Sequence, residues 1–317
     1  MGDADQRDEV AFTNLDEPLF ADAGATKRDL IDYLAAVADR ILPELRDRPL
    51  SVIRVLRGQT PFMQKNVPKY TPSWVQTVQL WAETSKRDVS YALCNDRRTL
   101  LWFGNQRAVE YHPALVRVDH LSAPAYLVLD LDPPSPHDFA KAVHVALLAR
   151  QALTAAGLAG AVKTSGAKGV HIFVPVSGAT FDEVAAAGRA LAARVERLDA
   201  ATATTAFMKD ERGGRVFVDS TRVGWATVVA AYSPRARQGV PVSFPVAWSE
   251  LERVTPSEFT VHNAPKMLAA GDPWNEAMPE PQTVDAELIE EGRAIPVARV
   301  QAMHEGLRRA RERRARA

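Results

Sequence analysis

Tyr126-Leu-Val-Leu-Asp-Leu-Asp132 is the stretch on which the reading of the chain turns. Its apolar run leads into Asp130 and Asp132, with Leu131 between them. In a strand successive side chains point to opposite faces, so two acids two residues apart share a face. Their Cα atoms would lie about 7 Å apart. An apolar core has no use for two anions there, whereas a divalent cation would satisfy them, and hard carboxylate oxygens suit Mg²⁺ or Mn²⁺. Without a cation the two charges disfavour each other, so removing one is expected to relieve the protein. The plainer alternative is a strand that simply ends in an Asp-Leu-Asp-Pro turn.

Downstream the pattern is regular. Pro133-Pro134 stop the strand, Ser135 is placed to cap a helix, and Pro136 and Asp138 fill its first and third positions. Phe139, Val143, Leu147 and Leu153 face inward, and Gly157 ends this helix. A strand near 160–164 turns through Ser165-Gly166-Ala167-Lys168-Gly169 into another strand at 170–176. Thr180 with Glu183 forms a capping box for a second helix carrying Val184, Leu191, Val195 and Leu198. Strands are expected at 215–219 and around 226–232. In order this is β-α-β-β-α-β, the ferredoxin-like split unit. Right-handed crossovers place its first strand between the third and fourth. Asp219, 87 residues beyond Asp132 in sequence, then joins the aspartate pair, and three carboxylates can serve a two-metal site.

Upstream, residues 1–25 read as an acidic lead-in. A helix starts at Thr26 with Asp29 in a capping box and Leu30, Leu34, Val37 and Ile41 as its apolar stripe, limited by Pro43. Residues 50–110 hold short β-like runs, SVIRVL, VSYALC and TLLWFG. The class is α+β, a mixed α/β chain. At 317 residues and 46% hydrophobic it can bury a large core. The single cysteine, Cys94, excludes a disulfide framework. No signal peptide or membrane span is apparent, so a soluble, cytoplasmic protein is expected.

Charge is balanced, with 39 basic and 39 acidic residues, which excludes a uniformly basic nucleic-acid binder. Its distribution is uneven. Between Asp47 and Glu83 there is no acid, while Arg48, Arg54, Arg57, Lys65 and Lys69 alternate with Phe62, Tyr70, Trp74 and Trp81. Cations with aromatics among them suit a single strand, whose bases stack and whose phosphates pair. A second acid-free stretch, 221–249, holds Arg222, Arg235 and Arg237, and six of the last ten residues are arginine.

The segment Lys163-Thr-Ser-Gly-Ala-Lys-Gly-Val-His171 is the second chemical signal. Its glycines let backbone N–H groups approach an anion, Ser165 adds a hydroxyl and Lys168 a charge, a cradle for phosphates. It lacks the spacing of a Walker loop, and a strand rather than a helix follows. The run from Lys168 to Ile172 is similar to an RNA-recognition signature. That module stacks bases on aromatics, and Val170 and Ile172 offer none.

Together DLDP (130–133), TSGAKGVH (164–171), VFVDS (216–220), YSPRAR (232–237), PVAW (245–248), NLDEPLF (14–20), TKRDLIDY (26–33) and FMQKN (62–66) carry a resemblance. The chain resembles the polymerase domain of bacterial end-joining ligase D, in the archaeo-eukaryotic primase superfamily. The resemblance implies a primase-polymerase fold and a DNA-directed nucleotidyltransferase that favours ribonucleotides, with two Mn²⁺ or Mg²⁺ ions on Asp130, Asp132 and Asp219. It implies nucleotide contacts from Ser165, Lys168, His171, Arg235, His112 and Arg54, and DNA contacts from Asn14, Lys27, Phe62 and Lys65. Phe62 would stand near the template base. Glu17 departs from the family, which usually has a lysine there for a downstream 5′-phosphate, and Ile53 and Arg222 replace a lysine and a glutamine. The expected organisation is a template-side module at 1–112, a catalytic module at 113–250 and a helical segment with a basic tail at 251–317, in one compact unit. No ligase segment follows, so a stand-alone monomer similar to the Prim-PolC type is expected. It would fill DNA gaps at the nucleoid and hand them to a separate ligase. A nucleotide cyclase could use a similar fold and two aspartates, but would need no template.

Overall fold

The computed structural model describes residues 6–82 and 86–297. Strands β1 (Gln6–Arg7) and β2 (Val10–Ala11) make a short antiparallel ribbon ahead of helix α1 (Lys27–Leu45). The Thr26 hydroxyl accepts from the Asp29 N–H at 3.2 Å, and the Asp29 carboxylate accepts from the Thr26 N–H at 2.7 Å, which completes the capping box. Leu30, Leu34, Val37 and Ile41 are fully buried, as their spacing requires. Pro43 does not limit the helix. It sits exposed in the last turn, where only one backbone bond is forgone, and buried Leu42 and Leu45 hold the helix in place around it.

An antiparallel sheet follows, built from β3 (Leu50–Arg54), β4 (Phe62–Gln64), β5 (Thr77–Ala82) and β6 (Arg87–Ala92) in the order β4-β3-β6-β5. The TLLWFG run is not a strand. It belongs to helix α2 (Arg97–Asn105), whose first turn is capped by Asp96 accepting from the Thr99 N–H at 2.7 Å. A short apolar run cannot tell strand from buried helix by periodicity, and here the capping aspartate decides. Leu100, Leu101, Trp102 and Phe103 are all buried because α2 lies between α1 and β7 (Ala108–Pro113). Strand β7 pairs with β3 on its other side.

The second sheet contains β8 (Tyr126–Asp132), β9 (Ala161–Thr164), β10 (Val170–Pro175), β11 (Ala203–Thr204), β12 (Val216–Asp219) and β13 (Pro245–Val246). Helices α3 (Phe139–Ala155) and α4 (Phe181–Leu198) make the crossovers. The order β11-β12-β8-β10-β9-β13 sets β8 between β10 and β12, the arrangement of the split unit. Ser135 opens a 3₁₀ turn, Pro136–Asp138, that leads into α3. Gly157, at φ +68°, ends it with bonds from the Gly157 and Leu158 N–H groups to the Thr154 and Leu153 carbonyls. On α4 the Thr180–Glu183 box forms, but Leu198 in the last turn is 45% exposed instead of inward. Val170 and Ile172 are fully buried, so this sheet presents no stacking platform at those positions.

No strand forms at 226–232. The segment lies along the outer edge of β7 and is held by separate bonds: Leu115 N–H to Ala226 O, Ala230 N–H to Tyr111 O, and Tyr111 N–H to the Ser233 hydroxyl. Tyr232 takes φ +66°, which interrupts an extended run. Beyond it come α5 (Ala264–Met267), α6 (Pro273–Ala277) and α7 (Ala286–Ala294). Helix α7 packs on α4, where Arg194 and Arg197 both bind Glu291 at 2.6 Å. The arginine-rich tail lies outside the described residues. Among the described residues no helix is long and apolar enough to cross a membrane.

Candidate active site

Three aspartates, Asp130, Asp132 and Asp219, lie at the ends of β8 and β12, which run side by side. Asp219 is the register partner of Asp130, and Phe217 that of Asp132. Side-chain exposure falls from 40% at Asp132 to 16% at Asp130 and 9% at Asp219, so the group descends from the surface into the molecule. His171, opposite Asp130 on β10, brings its Nε2 to 3.4 Å from Asp130 Oδ1. Arg222 Nε lies 3.6 Å from Asp130 and 3.3 Å from Asp219. Burial works against ionising Asp130, but His171, Arg222 and Lys163 outweigh it and hold its carboxyl down to about 2. Burial, with repulsion from Asp130, pushes Asp219 up despite Arg222. Burial and Lys163 push His171 down to about 4.

The Ser165–Gly169 turn closes over one end of this group. The Ser165 hydroxyl accepts from the N–H groups of Ala167 and Gly169, at 3.2 and 3.0 Å. Gly169 has no room for a side chain, since a Cβ would stand 2.1 Å from the Leu131 carbonyl, between the two strand aspartates. Gly166, at φ +63°, is similarly confined by Arg235, Val242 and Ser243. Lys168 Nζ donates to the Pro133 carbonyl at 2.6 Å and lies 3.4 Å from Asp132.

Opposite stand residues of β7 and of the loop that follows Tyr232. Arg235 donates to the Ser165 carbonyl and lies 3.1 Å from Glu110 on β7. Glu110 also meets His112 Nε2 at 2.8 Å and accepts from the Ala236 N–H at 2.9 Å. Burial opposes its charge, but His112 and Arg235 prevail and hold it at about 2 instead of 4.5. A carboxylate lowered in this way contributes stability above its ordinary value that is lost as pH falls towards 2. Glu110→Gln is therefore expected to destabilise the protein at pH 7 by roughly 3 kcal/mol. Urea unfolding across pH should show the gap from wild type narrowing below about 4.5.

Sequence reasoning did not single out Glu110, although Glu-x-His in a buried strand was a legible signal. It also quoted Lys163 without a role. That side chain is fully buried, with Nζ 2.8 Å from His171 Nδ1 and 2.6 Å from the Ser243 hydroxyl.

Other candidates lie apart from the acids. Arg54 donates to the Gln106 carbonyl, Gln64 and Tyr70, all around the first sheet. Phe62 and Lys65 are exposed on and beside β4, near exposed Met63 and Tyr70. Asn14, Glu17 and Lys27 gather at the start of α1. Lys27 Nζ donates to the Thr13 carbonyl at 2.6 Å, and burial, then Arg107, lowers it to about 8. Glu17 pairs with Arg107 at 3.5 Å and Arg57 at 3.9 Å.

Among the described residues no three acids, histidines or cysteines form a ready metal cluster. Arg222 stands between Asp130 and Asp219, and Lys168 against Asp132. The donor set nevertheless fits a hard divalent cation. It is all carboxylate, and the upward shift of Asp219 marks a charge that Arg222 does not fully compensate.

Residues 26–274 match the family described as LigD, primase-polymerase domain. The chain is 32% identical over 258 residues to the bifunctional non-homologous end joining protein LigD of Bacillus subtilis, covering 80% of this chain and 41% of that protein. It is 31% identical over 264 residues to the multifunctional non-homologous end joining protein LigD of Mycobacterium bovis, covering 80% and 34%. The chain thus spans less than half the length of these relatives. The polymerase domain from Mycobacterium tuberculosis ligase D, solved in complex with DNA, matches at a TM-score of 0.75 and 28% identity, over 87% of this chain and 100% of that one. The matched span takes in every residue from Asp130 to Arg235, and with it the chain belongs to the LigD primase-polymerase domain family.

Proposed function

We propose that this chain is a metal-dependent, template-directed primase-polymerase that adds nucleotides, ribonucleotides in preference, to a primer 3′-hydroxyl during DNA gap filling. The observation that carries the reading is the β8–β12 register. It sets Asp219 against Asp130 while the Ser165–Gly169 turn lies on Leu131, so an acid cluster and a phosphate cradle share one wall.

Asp130, Asp132 and Asp219 would hold the cations. When bound, two Mn²⁺ or Mg²⁺ ions supply charge stabilisation at the attacking and leaving oxygens. The primer hydroxyl attacks the α-phosphate, the bond to the β-phosphate breaks, and pyrophosphate leaves. Ser165, Lys168 and Arg235 bind the triphosphate, with Arg235 and His112 aimed by Glu110. His171 keeps Asp130 in place from within the sheet. Phe62, with Lys65 beside it, offers an exposed aromatic and a cation to the template strand. Arg54 contributes indirectly, by fixing Gln64 and Tyr70 at that surface. The protein works as a cytoplasmic monomer at the nucleoid and leaves a nick for a ligase to seal.

Primer extension on gapped and open templates, with NTPs and dNTPs and with each metal, tests this. Product length that follows the template supports it. Products made equally without template, or none at all, would overturn it.

Asn14 and Lys27 would meet a downstream 5′-phosphate, and Glu17 weakens that contact by neutralising Arg107 and Arg57. Glu17→Lys is expected to sharpen the preference for a phosphorylated gap and steepen the salt dependence by about one counterion, a slope change of about 0.7–0.9. A salt series on gaps with and without the phosphate checks this. Identical slopes and preferences for both proteins would remove Glu17 from the DNA path.

A further inference from the structure

Four strands of the second sheet line up one row of polar side chains. Lys163 on β9 is the register partner of His171 on β10, His171 of Asp130 on β8, and Asp130 of Asp219 on β12. Directly opposed residues lie close enough for their side chains to interact. The first member of the row is fully buried, and a buried amine is costly unless its hydrogens are used.

Hydrogen accounting sets which atom donates at each contact from Ser243 to Asp130. The Ser243 hydroxyl has a single hydrogen, which it donates to the Thr164 carbonyl at 2.9 Å. The 2.6 Å contact between Ser243 and Lys163 must then be donated by Nζ. At the other end, Asp130 as a carboxylate only accepts, so His171 Nε2, at 3.4 Å, carries the ring hydrogen. In the neutral ring Nδ1 is left with its lone pair and accepts from Lys163 Nζ at 2.8 Å. An uncharged amine has two hydrogens for these two bonds, so either state of the lysine can donate both. The third direction of Nζ faces the ring of Phe173, 5.5 Å to its centroid.

We propose that Lys163 is a positioning residue: it locks His171 in the Nε2–H tautomer and so aims Asp130 towards Asp219. An apolar side chain at 163 would leave His171 free to turn its ring or move its hydrogen to Nδ1, presenting a lone pair to a carboxylate. Only the kinetic consequence rests on the polymerase reading above. The tautomer does not.

Long-range ¹H–¹⁵N correlation spectra of the full chain at pH 7 read the tautomer directly. Wild-type His171 is expected as a single Nε2–H form, and Lys163→Met should show the Nδ1–H form as well. In primer extension Lys163→Met is expected to lower kcat about tenfold, with the nucleotide KM within about twofold, the range typical of residues that orient ligand-holding groups. In a His171→Gln background the same substitution should cost nothing further. Wild-type His171 with its hydrogen on Nδ1, which needs no variant to detect, would overturn the proposal. So would an unchanged tautomer in Lys163→Met, or losses that add in the double variant. The expected tautomer change in a protein that extends no primer would uphold the role of Lys163 and sink the polymerase reading instead.

Discussion

Asp130→Ala and Asp132→Ala are each expected to reduce nucleotide incorporation by at least about 10³-fold while DNA binding persists. Metal-assisted charge stabilisation is worth several kcal/mol, and each 1.4 kcal/mol is about tenfold in rate. The effect of Asp130→Ala on stability should run against the one the sequence suggests. From sequence, removing one of two repelling anions was expected to relieve the protein. In the structure His171 and Arg222 already compensate Asp130 and hold its carboxyl at about 2. A folded-state value below the ordinary 3.8 means that Asp130 contributes stability at neutral pH, lost as pH falls from about 4 towards 2. Asp130→Ala should therefore lower the melting temperature at pH 7, whereas any relief belongs to Asp219, whose carboxyl is pushed up. Single-turnover extension and thermal melts check both parts. Extension within tenfold of wild type in either variant would end the metal-site assignment.

The second large effect is expected at Lys168. Its Nζ holds the Ser165–Gly169 turn to the Pro133 carbonyl and sits beside Asp132, where the proposed triphosphate would bridge the turn and the acids. A hydrogen bond to a charged group contributes about 1.5–3 kcal/mol. Lys168→Ala should lower kcat/KM for nucleotide by about 10- to 100-fold, mostly through a higher KM, with some loss in kcat if the charge also serves the transition state. Steady-state extension at varied nucleotide and fixed DNA measures it. Unchanged nucleotide kinetics with weaker DNA affinity would assign Lys168 to the template path.

What could be read from the chain was local or followed from topology. The Asp-Leu-Asp alternation, the two capping boxes and the glycine turn are each written within a few residues. Given the split unit, placing β8 beside both β10 and β12 followed from the handedness of the crossovers. The long-range contacts that orient the chemistry were out of reach. Lys163 is held by Ser243, 80 residues away, and Glu110 accepts from Ala236, 126 residues away. No local pattern encodes such pairs. The TLLWFG run failed for the opposite reason. Its apolar periodicity was ambiguous, and the capping Asp96 just ahead of it decides for the helix. At 226–232 the apolar run suggested a strand, but only one isolated bridge, Ala114 to Thr227, forms before the chain turns at Tyr232.

That irregular segment has a consequence for how the chain is made. Until residues 226–233 are added, the outer edge of β7 is a row of unsatisfied backbone groups, the kind of template that recruits a strand from another molecule. Its cover is synthesised more than a hundred residues later, since Tyr111 and Ser233 are 122 apart. On the ribosome the first sheet must wait with an open flank, and a product truncated after β7 would keep it for good. Such a fragment is a candidate for aggregation, and the finished chain escapes only when its own later backbone arrives to seal the edge.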